Sequence, residues 1–139
     1  MELRKKTELI VIHCAATKAS MDIGASEIKK WHVDDNGWDD IGYHYIIKRG
    51  GLVEVGRPEA FQGAHAPSVN SKSIGICLVG GMADDGGAEN NFTLFQFLSL
   101  KDLIKRLIAS NSNIKEIVGH CDIQDNKPNC PGFNLKEWL

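Results

Sequence analysis

The sequence predicts a single α/β domain in which a central mixed β-sheet is flanked by helices. Strand-like segments rich in β-branched residues alternate with helical patterns along the chain. The segment 73–79 is apolar almost throughout, which is typical of a central strand covered on both faces. No linker, repeat or low-complexity stretch interrupts the 139 residues, so one domain over 1–139 is expected.

Five segments are predicted to be strands because each is rich in β-branched residues and is bounded by turn residues. The tripeptide Arg49-Gly50-Gly51 separates two of them and predicts a hairpin turn, since glycine readily adopts the positive φ that such turns require. The predicted strands are 8–12, 43–48, 52–55, 73–79 and 115–118.

The clearest helix is predicted to begin at Thr93. Thr93 and Gln96 match a capping box, and apolar residues follow them at helical spacing. A shorter helix is predicted over 26–33, and Asn134 is predicted to cap a final helical turn. Residues 82–91 are predicted to form an exposed loop with no assignable chemistry.

The bulk composition excludes several classes of protein. A formal net charge of -2 and a pI near 6.2 argue against a dedicated nucleic-acid-binding protein, which usually has a basic excess. No apolar run approaches the ~20 residues that span a bilayer, so membrane insertion is not expected. A monomer is expected because there is no heptad repeat and no long exposed apolar edge.

The N-terminal segment predicts the compartment in which the chain is made. Its apolar run, 9–12, is too short for the hydrophobic part of a signal peptide. The chain is therefore expected to be made and kept in the cytoplasm unless something else releases it. In that compartment the four cysteines are expected to be reduced thiols or metal ligands rather than disulfides.

Three residues form a candidate metal site. His13 and His120 each follow an apolar strand, at the strand ends where sites collect in α/β folds. Cys130 lies ten residues beyond His120, in a turn that can fold back toward the strand ends. Two imidazoles and a thiolate form a three-ligand set for Zn²⁺ that leaves a fourth position for water. The alternative is two separately hydrogen-bonded histidines and an inert buried thiol.

Tyr43 is the candidate donor to the oxyanion that develops in a zinc hydrolase. If 43–48 is a strand, Tyr43 and Tyr45 share one face and His44 takes the other. The alternative is that both phenols are core aromatics. His44 and His65 are candidate substrate-binding residues. The alternative for His44 is an imidazole that is buried and hydrogen-bonded, or one that contacts a metal ligand rather than the metal. The alternative for His65 is an exposed loop residue.

The ordered motifs resemble one family, the type-2 N-acetylmuramoyl-L-alanine amidases, which include amidase-type phage lysozymes and peptidoglycan recognition proteins. The resemblance runs from about residue 9 to the C-terminus and is specific as an ordered set. It rests on 12–17 (IHCAAT), Trp31-His32, Gly37-Trp38, 41–47 (IGYHYII), Gly56-Arg57, 63–66 (GAHA), Asn70, 73–81 (SIGICLVGG), 91–93 (NFT), 119–122 (GHCD) and 130–133 (CPGF).

The resemblance implies a function and the residues that perform it. It implies a zinc-dependent hydrolase that cuts the amide bond between N-acetylmuramic acid and L-alanine in peptidoglycan. It implies His13, His120 and Cys130 as zinc ligands, Tyr43 as the phenol that faces the scissile carbonyl, and His65 as part of the substrate cleft. It also implies a mixed sheet with the zinc at the base of a surface groove.

One position departs from the family pattern. The family often has a lysine two residues before the third ligand, where it helps to stabilise the transition state. This chain has Pro128 at that position, and Lys127 lies one residue earlier. Proline fixes its own φ and restricts the preceding residue to extended conformations, so the catalytic role of Lys127 is left open.

Two alternatives to a zinc amidase follow from the sequence. Loss of the family lysine favours a non-catalytic peptidoglycan-binding module, whereas the presence of Tyr43 and Cys130 favours catalysis. A cysteine nucleophile would need Cys14 with His13, or Cys121 with His120, but adjacent strand residues point to opposite faces. The leading expectation is a phage or prophage endolysin that acts on the cell wall after release.

Overall fold

The computed structural model describes residues 1–138 and has a five-stranded mixed sheet at its centre, in the order β4-β3-β5-β1-β7. β4 is antiparallel to β3, and the other neighbouring strands are parallel. The predicted α/β class with a central mixed sheet is confirmed. The strands are β1 (Leu9–Cys14), β2 (Thr17–Lys18), β3 (Tyr45–Ile47), β4 (Val53–Val55), β5 (Ser73–Leu78), β6 (Gly81–Met82) and β7 (Glu116–Gly119).

All five predicted strands are present, with boundaries shifted by one or two residues. β1 extends beyond its predicted end, so His13 is part of the strand rather than the residue after it. Gly51 has a φ of +94° in the turn between β3 and β4, as the predicted hairpin requires. The sequence did not predict the short parallel pair of β2 and β6, in which Met82 pairs with Lys18. Met82 therefore belongs to a strand rather than to the predicted loop.

Strand β3 begins two residues later than predicted, and this corrects the orientation of Tyr43. Tyr45 packs against the apolar cluster under the long helix, whereas Tyr43 packs beside Ile28 and Ile46 on the opposite side of the sheet. The two phenols therefore do not share a face. The alternation of side chains holds only within the extended strand, and Tyr43 lies outside it.

The long helix α2 (Leu94–Ser110) covers one face of the sheet. Its capping box is formed as predicted, because the Thr93 hydroxyl accepts the Gln96 N–H and the Gln96 side chain accepts the Thr93 N–H. The helix contributes Leu100, Leu103, Ile104 and Leu107 to the largest apolar cluster, against side chains of β1, β3 and β5.

The other face of the sheet is covered by shorter elements. Helix α1 (Ala25–Lys30) contributes Ile28 to the cluster beside Ile46 and continues into one turn of π-helix over Trp31–Asp35. A further cluster combines Val11, Ala66 and Val69. The C-terminal helix α3 (Leu135–Trp138) is capped by Asn134, as predicted. Within residues 1–138, no helix is both long enough and apolar enough to cross a membrane.

Two leucines of α2 provide a test of which helix face stabilises the fold. Leu100 is 0% exposed and Leu98 is 57% exposed. Leu100→Ala is expected to lower the free energy of unfolding by about 2–5 kcal/mol, because it leaves a cavity in the core. Leu98→Ala is expected to change it by no more than about 0.5 kcal/mol. Urea denaturation of both variants measures the difference, and equal losses would contradict the helix orientation.

Candidate metal centre and active site

The register of the sheet brings His13 and His120 together. Ile12 of β1 lies opposite Gly119 of β7, so the histidines that follow them lie at the same level. His120 begins a short 3₁₀ turn directly after β7. The two Nδ1 atoms are 3.1 Å apart, and both imidazoles are almost fully buried.

Cys130 completes the group from the loop that follows β7. Its Sγ lies 4.0 Å from His13 Nδ1 and accepts the backbone N–H of Cys14 at 3.3 Å. The loop is held against the strand end by a hydrogen bond from the Cys121 N–H to the Cys130 carbonyl. The three candidate ligand atoms all lie within 4.8 Å of one another. The structure thus places together the three residues that the sequence predicted as ligands.

The protonation states of these groups suit a metal ion. Burial lowers the pKa of His13 well below its usual value, and the nearby imidazoles of His65 and His120 lower it further. His13 is therefore neutral and has one nitrogen lone pair to offer. A hydrogen bond with Cys14 and burial both raise the pKa of the Cys130 thiol, so a thiolate at this position needs a neighbouring cation. A neutral imidazole pair and a thiol that a cation would ionise match the ligands that zinc prefers.

His65 lies behind His13 rather than in an exposed loop. Its Nδ1 is 2.8 Å from His13 Nε2, and its Nε2 is 3.3 Å from the Ser73 hydroxyl. The ring occupies space above Gly75 of β5, where a Cβ atom would lie only 2.6 Å from the His65 ring. The absence of a side chain at Gly75 is therefore what lets the imidazole pack against the sheet.

His44 is not positioned to contact a substrate. The imidazole is fully buried, its Nδ1 accepts the Gly75 N–H, and its Nε2 lies 2.8 Å from the Phe61 carbonyl. Burial lowers its pKa to about 4, so the ring is neutral. Both ring nitrogens are engaged by the backbone, and the structure favours the alternative of a buried, hydrogen-bonded imidazole.

Tyr43 stands beside the candidate ligands. Its ring centroid is 5.1 Å from that of His13. Burial raises the pKa of the Tyr43 hydroxyl well above its usual value, so the group is a protonated phenol near neutral pH. A protonated phenol donates a hydrogen bond, which is the property that an oxyanion-stabilising residue requires.

Two surface cavities meet at the candidate metal centre. One, of about 420 Å³, is bounded by Cys14, Cys130 and the loop 86–88. The other, of about 440 Å³, extends past Trp38 and His65. Both are lined by Tyr43, His120 and Lys127. The loop that the sequence left without chemistry therefore forms one wall of the cleft.

Neither proposed cysteine–histidine pair is formed. Cys14 is buried and Cys121 is exposed, and the thiol of Cys121 points to the Asp122 carboxylate. Within residues 1–138, no hydrogen bond links the thiol of Cys14 to the His13 ring or the thiol of Cys121 to the His120 ring. The geometry therefore supports a metal centre rather than a cysteine nucleophile.

Comparison with known proteins identifies the family. The sequence model of the N-acetylmuramoyl-L-alanine amidases matches residues 3–133. The chain belongs to the N-acetylmuramoyl-L-alanine amidase family. It is accordingly an amidase that hydrolyses the bond between N-acetylmuramic acid and L-alanine in peptidoglycan.

Individual relatives agree with this assignment. The endolysin of Enterobacteria phage T3 is 46% identical over 135 residues, which cover 97% of this chain and 87% of that protein. Peptidoglycan-recognition protein SC2 of Drosophila melanogaster is 33% identical over 130 residues, covering 90% of this chain and 68% of that protein. The amidase endolysin LysCS from Clostridium intestinale has the same fold, with a TM-score of 0.82, 29% identity, and coverage of 99% of this chain and 84% of that one.

The displaced lysine of this amidase still lies at the cleft. Lys127 lines both cavities, although Pro128 occupies the position where the family often has lysine. Burial lowers the pKa of His120, and the positive charge of Lys127 lowers it further, whereas the hydrogen bond to the Gln124 side-chain oxygen raises it. The one-residue shift in sequence has therefore not removed the positive charge from the site.

Sequence reasoning missed two residues that contact the imidazoles of this amidase. Ser73 reaches His65, and Gln124 lies 2.5 Å from His120 Nε2. The sequence contains one indication that Ser73 has a polar partner, since it is a hydroxyl residue at the start of an otherwise apolar buried strand. For Gln124 there is none, because it lies in an irregular polar segment.

The contact between Gly75 and the His65 ring can be tested by adding one methyl group. Gly75→Ala is expected to lower the free energy of unfolding by about 1–3 kcal/mol, because its Cβ would overlap a ring that is held in place by His13. Gly50→Ala is the matched control, since a Cβ there meets no atom within 4 Å. Urea denaturation measures both. An unchanged stability for Gly75→Ala would show that His65 does not pack where the structure places it.

Proposed function

We propose that this amidase works with one zinc ion held by His13, His120 and Cys130. The observation that carries the proposal is the convergence of two imidazole nitrogens and one thiol, within 4.8 Å of one another, where two cavities meet. Three protein ligands leave a fourth position open, as in catalytic rather than structural zinc sites.

Zinc at this site would supply a Lewis acid that polarises the amide carbonyl and lowers the pKa of water. In the reaction, the oxygen of water bonds to the carbonyl carbon of the muramic acid lactyl group. The bond from that carbon to the L-alanine nitrogen breaks, and a proton passes to the nitrogen, which leaves as a free amine.

Tyr43 is proposed to donate a hydrogen bond to the carbonyl oxygen as negative charge develops on it. The phenol stands beside His13 and remains protonated, so it has a hydrogen to donate. Lys127, which lines the same cleft, is proposed to add a positive charge there. Because Lys127 is displaced by one residue from the family position, we expect it to assist the reaction rather than to be essential.

The shape of the cleft suits a branched substrate. Peptidoglycan presents a sugar on one side of the scissile amide and a peptide on the other, and two cavities extend from the shared Tyr43, His120 and Lys127 lining. His65 borders one cavity, so a contact with substrate as well as with His13 is part of the proposal. His44 is excluded from that role because of its complete burial.

The biological role that we propose is that of an endolysin. Relatives that are 41–46% identical are endolysins of phages. The chain would be made in the cytoplasm and would act on the cell wall after release, as a monomer.

The first test is digestion of isolated peptidoglycan, followed by mass spectrometry of the fragments and their new amino termini. Free L-alanine amino termini that disappear with EDTA and return with added zinc are the expected result. Cleavage that persists in EDTA would contradict the metal centre. Retention on the wall without cleavage would contradict the enzymatic role and support a binding module.

The same assay distinguishes the proposed ligand role of Cys130 from the effect of removing any thiol. Cys130→Ser is expected to lose both zinc binding and cleavage, because a neutral hydroxyl is a poor zinc ligand. Cys121→Ser is the control, since that thiol is exposed and points away to Asp122. Equal zinc content in both variants would remove Cys130 from the proposed ligand set.

Tyr43→Phe tests the oxyanion role. The variant is expected to lower kcat by about 10²–10³ with unchanged zinc affinity, because it removes one donor to the developing negative charge. Tyr45→Phe is the matched control, since that hydroxyl donates to Glu59 on the other face of the sheet. Steady-state kinetics and zinc titration are measured for both. An unchanged kcat for Tyr43→Phe would assign the tyrosine to packing alone.

A further inference from the structure

Behind His13 lies a chain of three hydrogen bonds that ends on the backbone. His13 Nε2 is 2.8 Å from His65 Nδ1, His65 Nε2 is 3.3 Å from Ser73 Oγ, and Ser73 Oγ is 2.7 Å from the Val69 carbonyl oxygen. The side chains of His13, His65 and Ser73 are all buried. Their polar atoms are therefore largely shielded from bulk water.

The backbone carbonyl at the end of this series determines which group donates in each of the three hydrogen bonds. Two oxygens can approach to 2.7 Å only with a hydrogen between them, and a carbonyl has none, so the Ser73 hydroxyl donates to Val69. Ser73 then has only lone pairs to offer His65, and His65 Nε2 must donate. A neutral imidazole has one N–H, so His65 Nδ1 accepts, and His13 Nε2 donates to it.

The last hydrogen bond in this series involves His13, the candidate metal ligand. With its single hydrogen on Nε2, neutral His13 has its lone pair on Nδ1, and Nδ1 is the atom that lies 3.1 Å from His120 Nδ1 and 4.0 Å from Cys130 Sγ. We infer that His65 and Ser73 are positioning residues that hold His13 in the tautomer able to bind the metal through Nδ1. This inference rests on the proposed zinc centre.

The second imidazole is held differently. His120 Nε2 meets the side-chain amide of Gln124 at 2.5 Å. An amide presents an acceptor oxygen or, after rotation, a donor nitrogen, so Gln124 can accommodate either tautomer of His120. The series of hydrogen bonds behind His13 ends on a carbonyl, which can only accept, so the tautomer of His13 is fixed. The fixed direction of the hydrogen bonds behind His13 therefore has no counterpart at His120.

The direct test is the tautomer of His13 in the metal-free, full-length protein. Long-range ¹H–¹⁵N correlation spectra of ¹⁵N-labelled protein show which ring nitrogen carries hydrogen. The expected result is hydrogen on Nε2 of both His13 and His65. Hydrogen on Nδ1 of His13 in the wild-type protein would overturn the inference, and this measurement needs no variant and no activity.

Ser73→Ala adds a test with zinc. Loss of the hydroxyl leaves His65 Nε2 without an acceptor, so His65 is expected to carry its hydrogen on Nδ1 and to force His13 into the opposite tautomer. Zinc affinity, measured by competition with a chromophoric chelator, is expected to fall about 10–100-fold. Ser73→Thr, which keeps the hydroxyl, is expected to retain affinity close to that of the wild type.

Ser99→Ala is the matched control, because the Ser99 hydroxyl also donates to a backbone carbonyl, that of Gly51, but lies on α2. It is expected to bind zinc as tightly as the wild type. Wild-type affinity in a folded Ser73→Ala variant would overturn the inference. Failure of the wild-type protein to bind zinc at all would instead overturn the proposed function, while the metal-free spectra would still decide the tautomer of His13.

Discussion

The parallel pairing of β1 with β7 is the constraint on which the candidate active site depends. Neighbouring strands in a sheet lie about 4.8 Å apart, a separation at which side chains from both can reach one ion. Because Ile12 pairs with Gly119, His13 and His120 leave the two strands at the same level. A slip of one residue would turn His13 toward α2, so the same register that buries the core also aligns the imidazoles.

The two faces of the sheet have different roles as a consequence. The face under α2 is apolar and supplies most of the core. The opposite face holds His13, His44, His65 and Ser73, whose burial would be costly without hydrogen-bond partners. Within residues 1–138, no buried side-chain nitrogen or oxygen lacks a partner. The polar face is therefore compatible with a stable fold because its hydrogen bonds are complete.

Most of the fold could be predicted from the sequence, because strand composition and the capping box are local signals. The candidate ligands could also be predicted, since His13 and His120 occupy similar contexts at strand ends and Cys130 matches a family motif. The orientation of Tyr43 could not, because it depends on β3 beginning at Tyr45.

The contacts of the residues that surround the candidate ligands could not be predicted from the sequence either. The contact between His65 and His13 joins residues 52 positions apart, and it depends on the space above Gly75. The sequence shows Ser73 at the start of an apolar strand, but only the fold places its hydroxyl between His65 and the Val69 carbonyl. Likewise, the sequence shows the shift of Lys127 relative to the family, but only the folded loop shows that its side chain lines the cleft.

X-ray absorption spectroscopy at the zinc edge of the zinc-loaded protein tests the central claim most directly, because it counts the ligand atoms around the metal. We predict one sulfur at about 2.3 Å and nitrogen or oxygen ligands at about 2.0–2.1 Å, with the sulfur lost in Cys130→Ser. A shell without sulfur, or one with two sulfurs that would include Cys14, would contradict a centre formed by His13, His120 and Cys130.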